Sequence, residues 1–184
     1  MSNNFLNSTV KLTQYYQSLG NKTIQQLEED DLHWTPGENG NSIAVLVRHV
    51  VGNIHSRFTN FLTEDGEKPW RNRDSEFEDD LLNKSEISAK WNEGWEHLQN
   101  VLKNLAETDL EKTVYIRNEG HSVTEAIQRQ LAHYAYHVGQ IVVIGKMIRG
   151  NSWQSLSIPK NQSDNFNKKK FEQEKQIKHF TDNE

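Results

Sequence analysis

The sequence predicts an all-α protein: a bundle of four long helices with one small β-hairpin before the fourth helix. Only three prolines occur in 184 residues, at positions 36, 69 and 159, and each lies between segments of helical pattern. Apolar residues recur at helical spacing in four long segments. One short segment, KTVYIRNEGHSV, instead reads as two strands joined by a turn. A chain of this length can form one domain with a hydrophobic core.

The four helices and the hairpin follow one another between polar loops. We predict helices from about residue 2 to 29, from Ser42 to about Leu62, from about Ser85 to Ala106, and from Ser122 or Thr124 to near Gly150. The hairpin strand spans Val114 to Arg117, and its turn is expected at residues 118–120. Residues 1–166 are expected to form the bundle domain, and residues 167–184 a charged C-terminal tail outside the core.

Composition excludes several classes of function. The formal net charge is −5, which argues against a general nucleic-acid binder or a protein of anionic membranes. The chain has no cysteine, so a metal site must use His, Asp or Glu ligands. The longest apolar runs are too short to span a membrane, and the N-terminus lacks the pattern of a secretion signal. We therefore expect a cytoplasmic protein.

The fourth predicted helix carries a polar stripe within an apolar sequence, LAHYAYHVGQIVVIGK. His133, His137 and Gln140 share one face, because each helical residue advances by about 100°. The second helix repeats this pattern with His49 and Asn53 on one small, polar face. If the two stripes face each other, His49 joins His133 and His137.

Three converging histidines predict a metal site. Two histidines four residues apart can bind one ion, and three neutral nitrogens favour zinc or nickel, with iron third, over calcium or magnesium. Three protein ligands leave a coordination position open for water or substrate. The alternative is that these are hydrogen-bonded core histidines. His55 points elsewhere on its helix and is not expected to join the site.

These residues resemble a known family. VRHVVGN, together with HYAYHVGQ on the fourth helix, is similar to the DinB-like superfamily of four-helix metalloproteins, and more narrowly to a branch known only as a domain of unknown function. The resemblance covers about residues 1–166. It implies up-down-down-up helix order, a divalent metal on His49, His133 and His137, and frequent dimers. Some superfamily members transfer bacillithiol, mycothiol or glutathione to small molecules, or isomerise them.

The loop from Glu64 to Phe77 is the second candidate functional segment. Trp70 would pack down as part of a lid, while Arg71 and Arg73 would bind an anionic group of a substrate. The alternative is an ordinary solvated, charged loop. Asn53 and Gln140, one turn from the histidines, are candidates to hydrogen-bond the ligands or the substrate.

The sequence leaves three hypotheses about function open. The first is a metal-dependent enzyme, a transferase or hydrolase acting on a small molecule. The second is a non-catalytic metal- or ligand-binding protein, such as a stress-related dimer. The third is a purely structural dimer. A homodimer is expected because the fourth helix is apolar over a wider arc than one bundle covers. No nucleic-acid or membrane partner is expected.

Overall fold

The computed structural model describes residues 4–183 of the protein, which are mostly helical with one small two-stranded sheet. The helices are α1 (Asn4–Gln25), α2 (Ile43–Phe58), α3 (Lys84–Asn104), α4 (Val123–Arg149) and α5 (Ser163–Phe171). The strands are β1 (Thr113–Ile116) and β2 (Glu119–Ser122). The predicted all-α class is confirmed at this level. The predicted start of the first helix at residue 2 lies outside the described residues.

Side-chain caps set where three of the helices begin. The Ser42 hydroxyl accepts a hydrogen bond from the backbone N–H of Val45 and starts α2. Asn83 forms a capping box with Glu86 at the start of α3. Ser122 does the same with Glu125 and starts α4, so Ser122 rather than Thr124 is the cap.

Two helices end four residues earlier than predicted. The first was expected to reach residue 29, but α1 ends at Gln25. The second was expected to reach Leu62, but α2 ends at Phe58 because Thr59 is extended and Asn60 has a φ of 50°. A positive φ is incompatible with a continuing right-handed helix, so the chain turns there into the loop that leads back toward α2.

The four long helices pack around one hydrophobic core. Helix α1 contacts α3 and α4, and α2 contacts the same two helices. Trp91 and Trp95 of α3 are fully buried at the centre, with ring centroids 5.2 Å apart. Gly20 of α1 has a packing role, because a Cβ at this position would collide with the Trp91 ring. None of the helices described here is both long and apolar enough to cross a membrane.

The hairpin has a tighter turn than predicted. Ile116 pairs with Glu119, so only Arg117 and Asn118 form the turn, with φ values of 57° and 61°. Two consecutive positive φ values are the signature of the two-residue turn that matches strand twist. The predicted turn at residues 118–120 was therefore wrong at both ends: Arg117 belongs to the turn, and Glu119 and Gly120 belong to β2.

The C-terminal segment lies against α1. Helix α5 has no buried residue, so it adds nothing to the core. Beyond it, the Phe180 ring packs edge-on against Tyr15 with centroids 5.3 Å apart, and Asp182 forms an ion pair with Lys11. The predicted domain boundary between residues 166 and 167 falls inside α5.

Candidate metal centre

Three histidines from two helices converge inside the protein. His49 lies in the middle of α2, and His133 and His137 lie one turn apart on α4. The Nε2 atom of His133 is 3.4 Å from that of His49 and 3.0 Å from that of His137. His49 and His137 are buried, each with 4% of its surface exposed, and His133 is partly exposed. Three possible ligand atoms, one from each residue, lie within 4.8 Å of one another.

Hydrogen bonds on the far side of two rings determine which nitrogen faces the centre. The Nδ1 of His49 is 2.9 Å from Oε2 of Glu76, and a carboxylate can only accept, so Nδ1 carries the proton. The Nδ1 of His137 is 2.8 Å from the amide oxygen of Gln140 and likewise donates. Both rings therefore present an Nε2 lone pair to the centre.

This arrangement suits a transition-metal ion. A tetrahedral ion with metal–nitrogen distances of about 2.0–2.1 Å has ligand nitrogens about 3.3–3.4 Å apart. The separations of 3.0 and 3.4 Å around His133 are close to this value. The three histidines thus lie close enough to hold a metal ion, and two of them, His49 and His137, are in the tautomeric state that binds one.

The environment keeps two of the imidazoles neutral. Burial, with smaller contributions from the charges of His137 and His49, lowers the pKa of His133 to about 3. Burial also lowers the pKa of His137 to about 4, and its hydrogen bond with Gln140 only partly opposes the effect. Neutral imidazole is the form that binds metals, so the site is ready for an ion at neutral pH.

Glu76 is the most elaborately supported residue at the centre. Its two carboxylate oxygens accept hydrogen bonds from Nε and Nη2 of Arg71, at 2.7 and 2.8 Å, in addition to the bond from His49. Burial by itself would raise the pKa of Glu76, but the hydrogen bonds from His49 and Arg71 outweigh it, and the net shift is downward. Glu76 is therefore a buried carboxylate anion that accepts hydrogen bonds from both His49 and Arg71.

Gly52 of α2 provides the space for this carboxylate. A Cβ on Gly52 would lie 2.5 Å from Oε1 of Glu76 and 2.9 Å from its Cδ. Any larger residue at position 52 would push Glu76 away from His49. The absence of a side chain on this turn of α2 is thus part of the way the site is built.

The other predicted site residues divide into two groups. Gln140 contacts the site directly through His137, as expected. Asn53 does not: its amide oxygen accepts a hydrogen bond from the hydroxyl of Tyr134, 3.0 Å away. The expectation that Trp70 packs down was wrong, because 60% of its surface is exposed.

The two arginines of the loop have different roles. Arg71, predicted to bind a substrate anion, has a side chain that is only 2% exposed and already pairs with Glu76. Arg73 is half exposed, and its guanidinium lies 5.0 Å from the centroid of the Phe77 ring. That ring in turn packs against His49, with centroids 4.7 Å apart. Arg73 is therefore the cation of this loop that a ligand can reach.

Of the remaining histidines, His55 behaves as predicted and stays outside the triad. Its ring packs against that of His97 from α3, with centroids 5.0 Å apart. His121 belongs to β2, where it pairs with Val114, rather than to the turn or a cap.

Beside the triad lies a cleft of about 350 Å³ between α4 and the loop of residues 36–41. Gln140 lines this cleft while holding His137, and Leu46, one turn before His49, lines it from α2. Tyr136, which is 55% exposed, covers the other side of His137 with its ring 4.0 Å away. A small molecule in the cleft would contact Gln140 on the Nδ1 side of the His137 ring, away from the nitrogen that faces the centre.

Comparison with known proteins assigns the chain to a family but to no activity. Residues 1–162 match the family described as "Protein of unknown function (DUF1572)". The chain belongs to this family. No curated protein and no solved structure matches the chain. The DUF1572 match includes all three histidines and Glu76, and it ends one residue before α5.

Sequence reasoning about this DUF1572 chain missed Glu76 and the 36–41 loop. Glu76 lies 27 residues from His49 in an acidic loop, and periodicity says nothing about where such a loop folds. A glycine at position 52, in the polar stripe one turn after His49, was the available signal. It marks a point where another group approaches the helix closely.

Proposed function

We propose that His49, His133 and His137 bind one divalent transition-metal ion, and that α1 to α4 form a four-helix bundle with the up-down-down-up order of the DinB-like superfamily. The first part is supported by the convergence of the three ligand atoms within 4.8 Å. The second is supported by the contacts of α1 and α2 with both α3 and α4, and by the resemblance of VRHVVGN and HYAYHVGQ. Zinc or nickel, ahead of iron, suits three imidazole nitrogens.

We further propose that the protein is a metal-dependent enzyme that acts on a small molecule, with thiol transfer as the reaction class that the resemblance suggests. A metal ion held by His49, His133 and His137 would supply Lewis acidity toward a bound small molecule. The chain itself contributes the orientation of the ligands: Glu76 and Gln140 hold two of the rings by their Nδ1 atoms.

An anionic substrate is favoured by the position of Arg73. This side chain is half exposed, and its ionic contact is with Asp74 at 3.9 Å, whose side chain is 98% exposed. Because that pair is weak and solvated, a carboxylate or thiolate ligand could displace it. The Phe77 ring between Arg73 and His49 would hold the guanidinium beside the metal site.

A second candidate is a non-catalytic metal- or ligand-binding protein, for instance a stress-related dimer. One observation favours it: within residues 4–183, the carboxylate that is hydrogen-bonded to the triad is Glu76, and both of its oxygens are engaged by Arg71. A base in this state is poorly placed to take a proton from a substrate. If the protein is an enzyme, catalysis would have to rely on the metal ion and on a substrate that is itself acidic, such as a thiol.

An assay of thiol transfer tests these alternatives. The zinc- or nickel-loaded protein is incubated with glutathione, bacillithiol or mycothiol and with 1-chloro-2,4-dinitrobenzene, and chloride release is followed. The enzyme hypothesis expects turnover above background that is lost in His49→Ala and kept in His55→Ala. Metal-loaded protein that shows no turnover with any of the three thiols would favour the binding protein instead.

A further inference from the structure

One cavity, which none of the three histidines of the metal centre lines, has an unusual lining. It measures about 1160 Å³ and lies between the end of α1, the segment of residues 156–159, and α5. Its walls combine apolar side chains with four lysines, Lys22, Lys169, Lys170 and Lys178. No aspartate or glutamate lines it, although the chain as a whole carries a net charge of −5.

The apolar part of the lining is accessible. Ile158 and Phe166 are each 41% exposed, and Phe180 is 58% exposed. The ammonium group of Lys170 lies 5.4 Å from the centroid of the Phe166 ring. Aromatic and aliphatic surface edged by ammonium groups is the arrangement that receives a molecule with an apolar body and an anionic head.

The segment that closes the cavity is held against α1 by residues that follow α5, and not by α5 itself. Helix α5 is nine residues long and has no buried residue. A helix this short has little stability of its own in water. The anchor is the contact of Phe180 and Asp182 with α1. A ligand between α5 and α1 would therefore supply the apolar contacts that α5 lacks.

From this geometry we propose that the cavity between α1 and α5 binds an amphipathic anion, namely an aliphatic or aromatic molecule with a single carboxylate or sulfonate head. The apolar body lies against Phe166, Ile158 and Phe180, and the head lies among the lysines. The DUF1572 match ends at residue 162, before α5, so half of the residues that line the cavity lie beyond the matched part of the chain. It is independent of the metal centre.

The test uses the full chain and two probes, 8-anilinonaphthalene-1-sulfonate as a fluorescent reporter and dodecanoate as a competitor below its micelle concentration. We expect one saturable site per chain, with dodecanoate displacing the reporter. Dodecanol should compete much more weakly, and dodecyltrimethylammonium should not compete. Competition by dodecanol equal to that by dodecanoate would overturn the role of the lysines.

Two double variants provide the matched comparison. Lys169→Gln with Lys170→Gln removes two cavity lysines and should weaken dodecanoate binding about tenfold, as expected for two partly solvated ion pairs. Lys168→Gln with Lys175→Gln makes the same change of charge at two lysines of the same segment that do not line the cavity, and should leave affinity within about twofold. Phe166→Ser should weaken binding of both probes.

Two further results would contradict the proposal. Equal affinity in the two double variants would show that dodecanoate responds to overall charge and not to this cavity. Binding to anionic lipid vesicles without binding of monomeric dodecanoate would make the segment a membrane-surface element instead. The His49→Ala variant should bind dodecanoate like the wild type, which separates this site from the metal centre.

Discussion

Replacing Glu76 by Gln should weaken metal binding, although Glu76 is not itself one of the three ligand residues. The change removes the charge that receives the His49 Nδ1 proton at 2.9 Å. Partners of this kind orient the ring and raise the basicity of the ligand nitrogen, and their loss typically costs 10–100-fold in metal affinity. We therefore expect zinc affinity to fall by about 10–100-fold, which corresponds to about 1.4–2.7 kcal/mol.

The same substitution should also lower the stability of the metal-free protein. Arg71 loses both hydrogen bonds to a charged partner while its side chain remains 2% exposed. Breaking a buried pair from one side typically costs about 3–5 kcal/mol. The loss should fall at the low end of this range or below it, because Glu67 remains 3.6 Å from the Arg71 guanidinium.

Glu67→Gln provides the control that separates these two effects. Glu67 interacts with Arg57, Arg71 and Arg117 but is not hydrogen-bonded to a histidine. It should lower the free energy of unfolding, measured in urea, yet leave zinc affinity unchanged. Affinity is measured by competition with a colorimetric chelator. Equal zinc affinity in Glu76→Gln and wild type, or an equal loss in Glu67→Gln, would refute this reasoning.

Three other predictions concern pH, assembly and the C-terminal segment. Acidification from pH 7 to 4 should lower the melting temperature of the metal-free protein. The pKa values of His133 and His137 in the folded protein, about 3 and 4, lie below the ordinary histidine value of 6.5, so the unfolded chain binds more protons in this pH window. The folded state therefore loses stability as the pH falls. The decrease in melting temperature should be smaller in the variant that carries both His133→Gln and His137→Gln. Equal decreases in this variant and the wild type would contradict the prediction. We expect a homodimer, supported by the exposed apolar residues Tyr136, Val143 and Met147 on α4. Light scattering should show a dimer that Val143→Asp disrupts, whereas a monomer throughout the micromolar range would reject it. Removal of residues 167–184 should leave a cooperative melting transition, because α5 buries no residue, and loss of cooperativity would show that the segment is integral to the fold.

Helical periodicity predicted much of this structure because it depends only on local sequence. The faces of α2 and α4 follow from rotation of about 100° per residue, so the meeting of His49 with His133 and His137 was within reach. The Ser42 and Ser122 caps are equally local. Helix ends were less predictable. Helix α2 ends at Phe58, and Asn60 then adopts a positive φ that its sequence context does not require.

The loop between α2 and α3 shows where such reasoning stops. Its length allowed it to fold back to His49, and it does so through Glu76 and Phe77. Which of its charges would be buried could not be read from the sequence, because Arg71 and Arg73 are chemically identical and only two residues apart. The structure distinguishes them: Arg71 is buried and forms a salt bridge with Glu76, whereas Arg73 is half exposed.

The most direct test of the central claim is elemental analysis of the purified protein and its histidine variants. We expect about one zinc or nickel ion per chain in the wild type and in His55→Ala, whose ring lies against His97 outside the triad. His49→Ala, His133→Ala and His137→Ala should each abolish binding, because each removes one of three converging nitrogens. Equal metal content in the wild type and all four variants would contradict a metal centre at this site.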